Sequence, residues 1–151
     1  MPGTFNGTTL TISATPVDGA LIPDEGATNV AGIAIVGSDM YCVKTTGLKT
    51  TLLKTTDYTT AKATAVKKDL NWFALGLTKI GNYLYMLAED HKGYGGSTTI
   101  VKLDTKGNQL GTYNIKNICP NGALGITAAD GTNEKFIIMH YTDSNNAGTL
   151  T

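Results

Sequence analysis

Three short apolar segments, each carrying a glycine, recur at nearly even spacing along this chain of 151 residues. They read Val30-Ala31-Gly32-Ile33-Ala34, Ala74-Leu75-Gly76-Leu77-Thr78 and Ala123-Leu124-Gly125-Ile126-Thr127. The glycines lie 44 residues apart (76 minus 32) and then 49 residues apart (125 minus 76). Periods of this length are typical of arrays built from one supersecondary unit, so the repeat constrains the fold more than any single motif does.

Each full repeat contains four short apolar runs separated by turn residues at roughly ten-residue spacing, which predicts four antiparallel strands. In the first repeat the predicted strands are 30–36, 40–44, 49–54 and 61–66, and in the second they are 75–80, 83–87, 99–103 and 109–115. Abundant Thr and Gly with little charge favour strands and turns over helices. The predicted fold class is therefore all-β, with four-stranded blades.

The third repeat stops early, after predicted strands at 124–128 and 135–141 and the beginning of a third at 148–151. The missing half blade is predicted at the other end of the chain, where 8–13 alternates like a third strand and 20–22 supplies a fourth. We therefore expect one domain over 1–151, divided into a half blade at 8–23, blades at 29–67 and 72–116, and a half blade at 122–151.

This arrangement resembles the β-propeller repeat superfamily, in which a blade assembled from both chain ends closes the ring. The resemblance lies in the pattern of the whole chain and includes no subfamily signature, since the WD dipeptide and the kelch motif are absent. It implies about three blade equivalents, fewer than the four or more blades with which propellers typically close. We therefore expect completion by self-association, either as a homodimer that forms a six-bladed ring or as an open-ended polymer. A piece of a longer propeller protein or enzyme is the remaining alternative.

The charge balance and composition exclude several classes of partner. Twelve acidic residues balance twelve basic ones, and every basic residue is Lys. Without a net positive field or Arg, the chain is not expected to bind nucleic acid or a membrane. No apolar run has the length of a membrane span and no signal peptide is visible, while the composition favours an extracellular or particle-surface protein. No cofactor and no metal site are expected, because ligand spacings are absent and the cysteines, Cys42 and Cys119, lie far apart.

The candidate binding surface is the face where the loops between second and third strands meet the loops that connect successive blades. Aromatic, carboxylate and amide side chains there could stack against a sugar ring and hydrogen-bond its hydroxyls, or bind a peptide. The candidate ligand-binding residues are Asp69, Asn71, Trp72, Asp90, His91, Tyr94, Asp143 and Asn145. Trp72 could instead cover the edge of the core.

The expected function is a non-catalytic, lectin-like recognition module that binds carbohydrate. His91 and His140 are the only histidines, and neither lies in a recognised catalytic motif. We expect His91 in a solvated loop and His140 as a hydrogen-bonded structural residue facing away from Met139. The alternative function is a structural subunit of a filament, fibre or particle surface, which would use the incomplete blade for assembly.

Overall fold

The computed structural model describes residues 3–5, 10–12, 29–56, 63–90, 97–141 and 148–151. Every regular element in these ranges is a β-strand, which confirms the all-β class. Among the described residues no helix could span a membrane. The strands are β1 (Gly3–Phe5), β2 (Leu10–Ile12), β3 (Asn29–Val36), β4 (Asp39–Thr46), β5 (Lys49–Thr55), β6 (Thr64–Leu70), β7 (Phe73–Ile80), β8 (Tyr83–Glu89), β9 (Thr98–Leu103), β10 (Gln109–Asn114), β11 (Ala123–Ala128), β12 (Phe136–Tyr141) and β13 (Gly148–Leu150).

The strands form antiparallel meanders in which neighbours in sequence are neighbours in space. The first sheet has the order β3-β4-β5-β6, the second β7-β8-β9-β10 and the third β11-β12-β13, while β1 and β2 form a separate hairpin. Two four-stranded units thus lie at 29–70 and 73–114. The predicted final strand of the third sheet is present as β13. It pairs with β12, beginning at Tyr141 opposite Gly148.

One strand prediction in the first repeat is displaced. The fourth strand was expected at 61–66, but β6 begins at Thr64 and continues to Leu70. Asp69 was predicted in the loop to the next blade, yet it lies in β6, which is the outer edge of its sheet and has mostly exposed side chains. Polar residues are therefore compatible with this strand, because an edge strand faces water.

The expectation that the two chain ends share one blade stays a prediction. Residues 20–22, the predicted fourth strand of the split blade, lie outside the described residues. β2 falls within the predicted strand at 8–13, but its partner is β1, a strand that the sequence pattern did not indicate.

A register shift lies at the repeated glycine in all three sheets, with Gly32 itself unpaired in the first and the preceding leucine unpaired in the other two. The pairing of the first and second strands shifts register between Ala31 and Ile33, between Ala74 and Gly76, and between Ala123 and Gly125. Such a bulge bends the strand and increases its twist. These three strands, β3, β7 and β11, also lie next to one another, so the bulges fall where the sheets meet.

Two apolar layers hold the three sheets together. The layer between the first and second sheets contains Tyr41, Val43, Leu77, Met86 and Val101 among its buried residues. The layer between the second and third sheets contains Tyr85, Leu87, Ile100, Cys119 and Ile138. Alternation along β8 explains how one strand serves both layers, because Tyr85 and Leu87 face the third sheet while Met86 faces the first.

Candidate functional site

Four of the eight predicted binding residues lie within the described part of the chain. His91, Tyr94, Asp143 and Asn145 lie outside it. Asp69 and Asn71 precede the second sheet together with Trp72, and Asp90 follows β8. Phe73 pairs with Glu89 across β7 and β8, so Trp72 and Asp90 lie at the same end of the second sheet, as the predicted loop face requires.

Trp72 acts as a joint between the first and second sheets. Its ring is partly buried against the first apolar layer, and its Nε1 donates a hydrogen bond to Gln109 Oε1 at 3.1 Å. Its carbonyl oxygen accepts a hydrogen bond from the buried Thr50 hydroxyl at 2.6 Å. These contacts favour the structural role for Trp72 over a stacking surface for a ligand.

The polar neighbours of Trp72 also have structural contacts. Lys49 Nζ donates a hydrogen bond to Asn71 Oδ1. Asp69, predicted in a loop, lies within β6 and is the only non-glycine residue with a positive φ in the described chain, at 58°. The left-handed conformation is one that Asp adopts more readily than most residues, which explains its presence at this irregular position.

A groove of about 460 Å³ lies at the opposite end of the second sheet, beside the β7–β8 hairpin. Its walls are the hairpin residues 80–83, two residues of the sheet and the loop between β11 and β12. Tyr83 and Tyr85 lie on one face of β8, because they are two residues apart, and Lys102 is the cross-strand partner of Tyr85 on β9. None of these groove residues was among the predicted site residues.

A lysine, a carboxylate and a tyrosine hydroxyl form the polar floor of the groove. Lys102 Nζ lies 2.5 Å from Glu134 Oε1, and Tyr85 donates its hydroxyl hydrogen to the same oxygen at 2.7 Å. The Lys102 ammonium also lies 4.4 Å from the centre of the Tyr83 ring, within cation–π range. The Tyr83 side chain remains 44% exposed, so part of its ring faces water at the groove.

The ion pair shifts the titration of both charged groups toward the charged forms. The hydrogen bond that Lys102 donates, followed by the one from Tyr85, lowers the pKa of Glu134. The hydrogen bond to Glu134 raises the pKa of Lys102. Desolvation and the hydrogen bond to Glu134 raise the pKa of Tyr85, so its hydroxyl stays protonated. At neutral pH the floor of the groove therefore holds the Lys102–Glu134 ion pair, which has no net charge, and the protonated hydroxyl of Tyr85.

Asp130 holds the loop that brings Glu134 to the groove. Its Oδ1 accepts hydrogen bonds from the main-chain nitrogens of Thr132 at 2.8 Å and Asn133 at 2.7 Å. These bonds lower the pKa of Asp130 to about 2. The Gly81 nitrogen also donates to the Gly131 carbonyl at 3.3 Å, which joins this loop to the β7–β8 hairpin. The groove is thus built by two sheets, each contributing one turn.

The first sheet carries a smaller version of the same cluster. Lys54 Nζ lies 3.1 Å from Asp39 Oδ2, and the Tyr41 hydroxyl donates to that oxygen at 3.3 Å. Tyr41 and Lys54 are cross-strand partners, as Tyr85 and Lys102 are in the second sheet. The carboxylate here comes from the same sheet, and the cluster reaches the second sheet only through a side-chain hydrogen bond between Tyr41 and Thr105 of the β9–β10 turn. The tyrosine and lysine are therefore features of the repeat, and the bridging Glu134 is particular to the groove.

The remaining chemistry-bearing residues have structural environments. His140 is buried, whereas Met139 beside it is exposed. The His140 Nε2 atom lies 2.8 Å from Thr151 Oγ1, and its Nδ1 atom lies 3.1 Å from the Tyr141 carbonyl oxygen. Cys42 and Cys119 are buried free thiols in different apolar clusters, and burial raises the pKa of both, that of Cys42 to about 11. No group of three or more His, Cys, Asp or Glu side chains in the described ranges is arranged to hold a metal ion.

Asp104 shows the turn chemistry expected at the β9–β10 connection. Its carboxylate accepts hydrogen bonds from the main-chain nitrogens of Lys106 and Asn108, at 2.9 and 2.8 Å. Gly107 has a φ of 78°, the left-handed conformation that this turn requires. The Asp104 carboxylate is therefore engaged by the turn itself.

Comparison of the chain with protein-family models and with curated proteins gives no match.

Proposed function

We propose that this chain is a non-catalytic, lectin-like recognition module that binds a neutral carbohydrate in the Tyr83 groove, within a β-propeller-type fold. The observation that supports this most is an exposed tyrosine ring beside an internally neutralised Lys102–Glu134 pair. An aromatic face and a few fixed polar groups are what a site for a polyhydroxylated ring uses, and the groove volume lies in the range of small-molecule sites.

Neutral hydroxyls suit this groove better than an ionic ligand does. Lys102 and Glu134 compensate each other, so an anion or a cation would have to compete with an existing ion pair. Sugar hydroxyls can donate to the second Glu134 oxygen and accept from Lys102 without breaking the pair. The exposed part of the Tyr83 ring supplies the stacking surface.

The test is a glycan array followed by calorimetric titration of the best glycan against matched variants. Tyr83→Ala should weaken binding by about tenfold or more, which corresponds to about 1.4 kcal/mol, whereas Tyr83→Phe retains the ring and should bind nearly as well. Asp90→Ala, at the opposite end of the second sheet, serves as the control for position. Binding lost in Asp90→Ala and kept in Tyr83→Ala would place the site on the originally predicted loop face, and absence of glycan binding would refute the proposal.

A structural subunit of a filament, fibre or particle surface is the second candidate function. The apolar residues exposed on the outer faces of the first and third sheets favour it, because monomeric proteins rarely leave such surfaces contiguous. Electron microscopy across a range of concentrations distinguishes the two candidates: regular polymers without glycan binding would support the structural subunit.

A further inference from the structure

The two contacts between neighbouring sheets use equivalent residues. A Cβ atom placed on Gly32 would lie 2.7 Å from the Cβ of Leu77, the residue that follows the glycine of the second sheet. A Cβ atom placed on Gly76 would lie 3.3 Å from Cγ2 of Ile126, which follows the glycine of the third sheet. Each glycine therefore provides a gap that receives the next sheet's aliphatic residue, and the chain makes this contact twice.

The first sheet presents the aliphatic half of this contact without a partner glycine in the described chain. Ile33 occupies the position of Leu77, yet Ile33 is 65% exposed where Leu77 is 4% exposed. Val30 occupies the position of Ala74 and is exposed, whereas Ala74 is buried. Ile35, two residues beyond Ile33 on the same face of β3, is exposed as well. We call this surface the Ile33 face.

The third sheet presents the other half. A Cβ atom on Gly125 would meet nothing within 4 Å in the described chain. Ile137 and Met139 lie at the positions that Tyr85 and Leu87 occupy in the second sheet, but they are 41% and 42% exposed, whereas Tyr85 and Leu87 are almost fully buried. We call this surface the Gly125 face.

We propose that copies of this chain associate head to tail, with the Ile33 face of one copy docked on the Gly125 face of the next. In this contact Ile33 enters the gap at Gly125, as Leu77 does at Gly32 and Ile126 at Gly76. The interface is heterologous, so its repetition closes into a ring or grows into a polymer according to the angle between copies.

A second copy is the occupant that these faces favour, because the two faces are the halves of an interface that the chain already forms internally. On both sides the first strand has a register shift at the repeat glycine, and exposed apolar side chains lie beside it. Burial of these side chains would remove apolar area from water, which is the main driving force for association. This mode of association differs from strand exchange at the chain ends, because complete sheet faces meet and no strand changes sheets.

The first experiment measures mass by light scattering and sedimentation over a wide range of concentrations. The unmodified chain should exceed its monomer mass of 15.8 kDa as the concentration rises. Ile33→Asp and Gly125→Trp should each restore the monomer while circular dichroism stays unchanged, since both side chains project from the folded chain into solvent. Leu110→Asp, on β10 and half exposed, is the matched control and should keep the assembled mass.

Mixing the two monomeric variants tests the polarity of the contact. Ile33→Asp retains an intact Gly125 face, and Gly125→Trp retains an intact Ile33 face, so an equimolar mixture should form a dimer that cannot grow further. A two-fold symmetric interface is satisfied by two copies, so an unmodified chain whose mass stops at the dimer at every concentration would overturn the head-to-tail arrangement. A chain that remains monomeric at every concentration, or variants that keep the assembled mass, would overturn the proposal as a whole.

Discussion

Gly32 lies directly against the main chain of Leu77, where a Cβ atom on Gly32 would come within 2.1 Å of the Leu77 nitrogen. The position also has a φ of 64°, which L residues with side chains rarely adopt. Both constraints act at the point where the first and second sheets meet. The glycine that defines the sequence repeat is therefore needed for sheet packing in this structure.

Alanine substitutions at the three repeat glycines should differ sharply in their effect on stability. Gly32→Ala should lower the free energy of unfolding by at least ~2 kcal/mol, since it combines a positive φ with a main-chain clash. Gly76→Ala should cost less, because the new methyl group meets the movable Cγ2 of Ile126. Gly125→Ala should change stability by no more than about 0.5 kcal/mol, as an open surface position does.

Chemical denaturation of these three variants, measured under conditions where the chain is monomeric, gives the ranking. Equal destabilisation at all three glycines would contradict a ranking set by sheet packing.

Trp72→Ala should act on stability rather than on ligand binding. The substitution removes a half-buried ring that packs on the first apolar layer and leaves Gln109 without its indole donor. We expect a loss of about 2 kcal/mol, below the usual cost for a fully buried aromatic residue. Thermal unfolding measures this loss, and glycan titration at a temperature where the variant is folded should give unchanged affinity. A selective loss of glycan affinity in the folded variant would show that Trp72 belongs to the binding site.

The buried Thr50 hydroxyl should be required for the joint between the first two sheets. It donates to the Trp72 carbonyl at 2.6 Å and lies 3.3 Å from the Ala74 nitrogen, for which it is an acceptor. Thr50→Val keeps the shape but removes the hydroxyl donor to the Trp72 carbonyl and one of two threonine acceptors near the Ala74 nitrogen, since Thr45 Oγ1 also lies 3.4 Å from it. The free energy of unfolding should therefore fall by about 1–3 kcal/mol. The neighbouring and less buried Thr51→Val is the control and should change little. Equal effects of the two substitutions would argue against a specific role for the Thr50 hydroxyl.

Asp130 should contribute to stability in a pH-dependent way. Its pKa falls from 3.8 to about 2 in the folded chain, so its contribution is fully present above pH 3.8 and is lost as the pH falls toward 2. Asp130→Asn removes this titration, and the variant should lose less stability than the unmodified chain between about pH 6 and about pH 2.5. Denaturation midpoints at both pH values provide the measurement. Parallel losses in the two proteins would contradict the assigned role.

The strand order could be predicted from the sequence because turns and apolar alternation are local signals. The predicted strands that begin at residues 40, 83 and 99 agree closely with β4, β8 and β9. β6 was displaced because its exposed lysines resemble loop residues when their position at a sheet edge is unknown.

The groove could not be predicted in this way. Glu134 lies 49 residues from Tyr85, in the loop between β11 and β12 of the third sheet, and only the packing of the sheets brings the two side chains together. The contact between Trp72 and Gln109 also spans 37 residues, so the sequence left open whether this tryptophan binds a ligand or covers the core. A partial signal was present in Tyr83 and Tyr85, which share one strand face directly after a hairpin turn.

The most direct measurement for the head-to-tail contact is site-specific disulfide formation between two variants that each add one cysteine, Ile33→Cys and Gly125→Cys. In the equivalent internal contact a Cβ atom on Gly32 lies 2.7 Å from Leu77 Cβ, so a small adjustment gives the spacing that a disulfide needs. The native Cys42 and Cys119 are buried and should not interfere. Gly131→Cys, at an open glycine in the β11–β12 loop, replaces Gly125→Cys in the control mixture.

Mild oxidation followed by non-reducing electrophoresis should give a cross-linked dimer in the mixture of Ile33→Cys and Gly125→Cys, and much less in either variant alone or in the control mixture. Absence of the dimer in the first mixture, or equal yields in all of them, would contradict the docking of the Ile33 face on the Gly125 face.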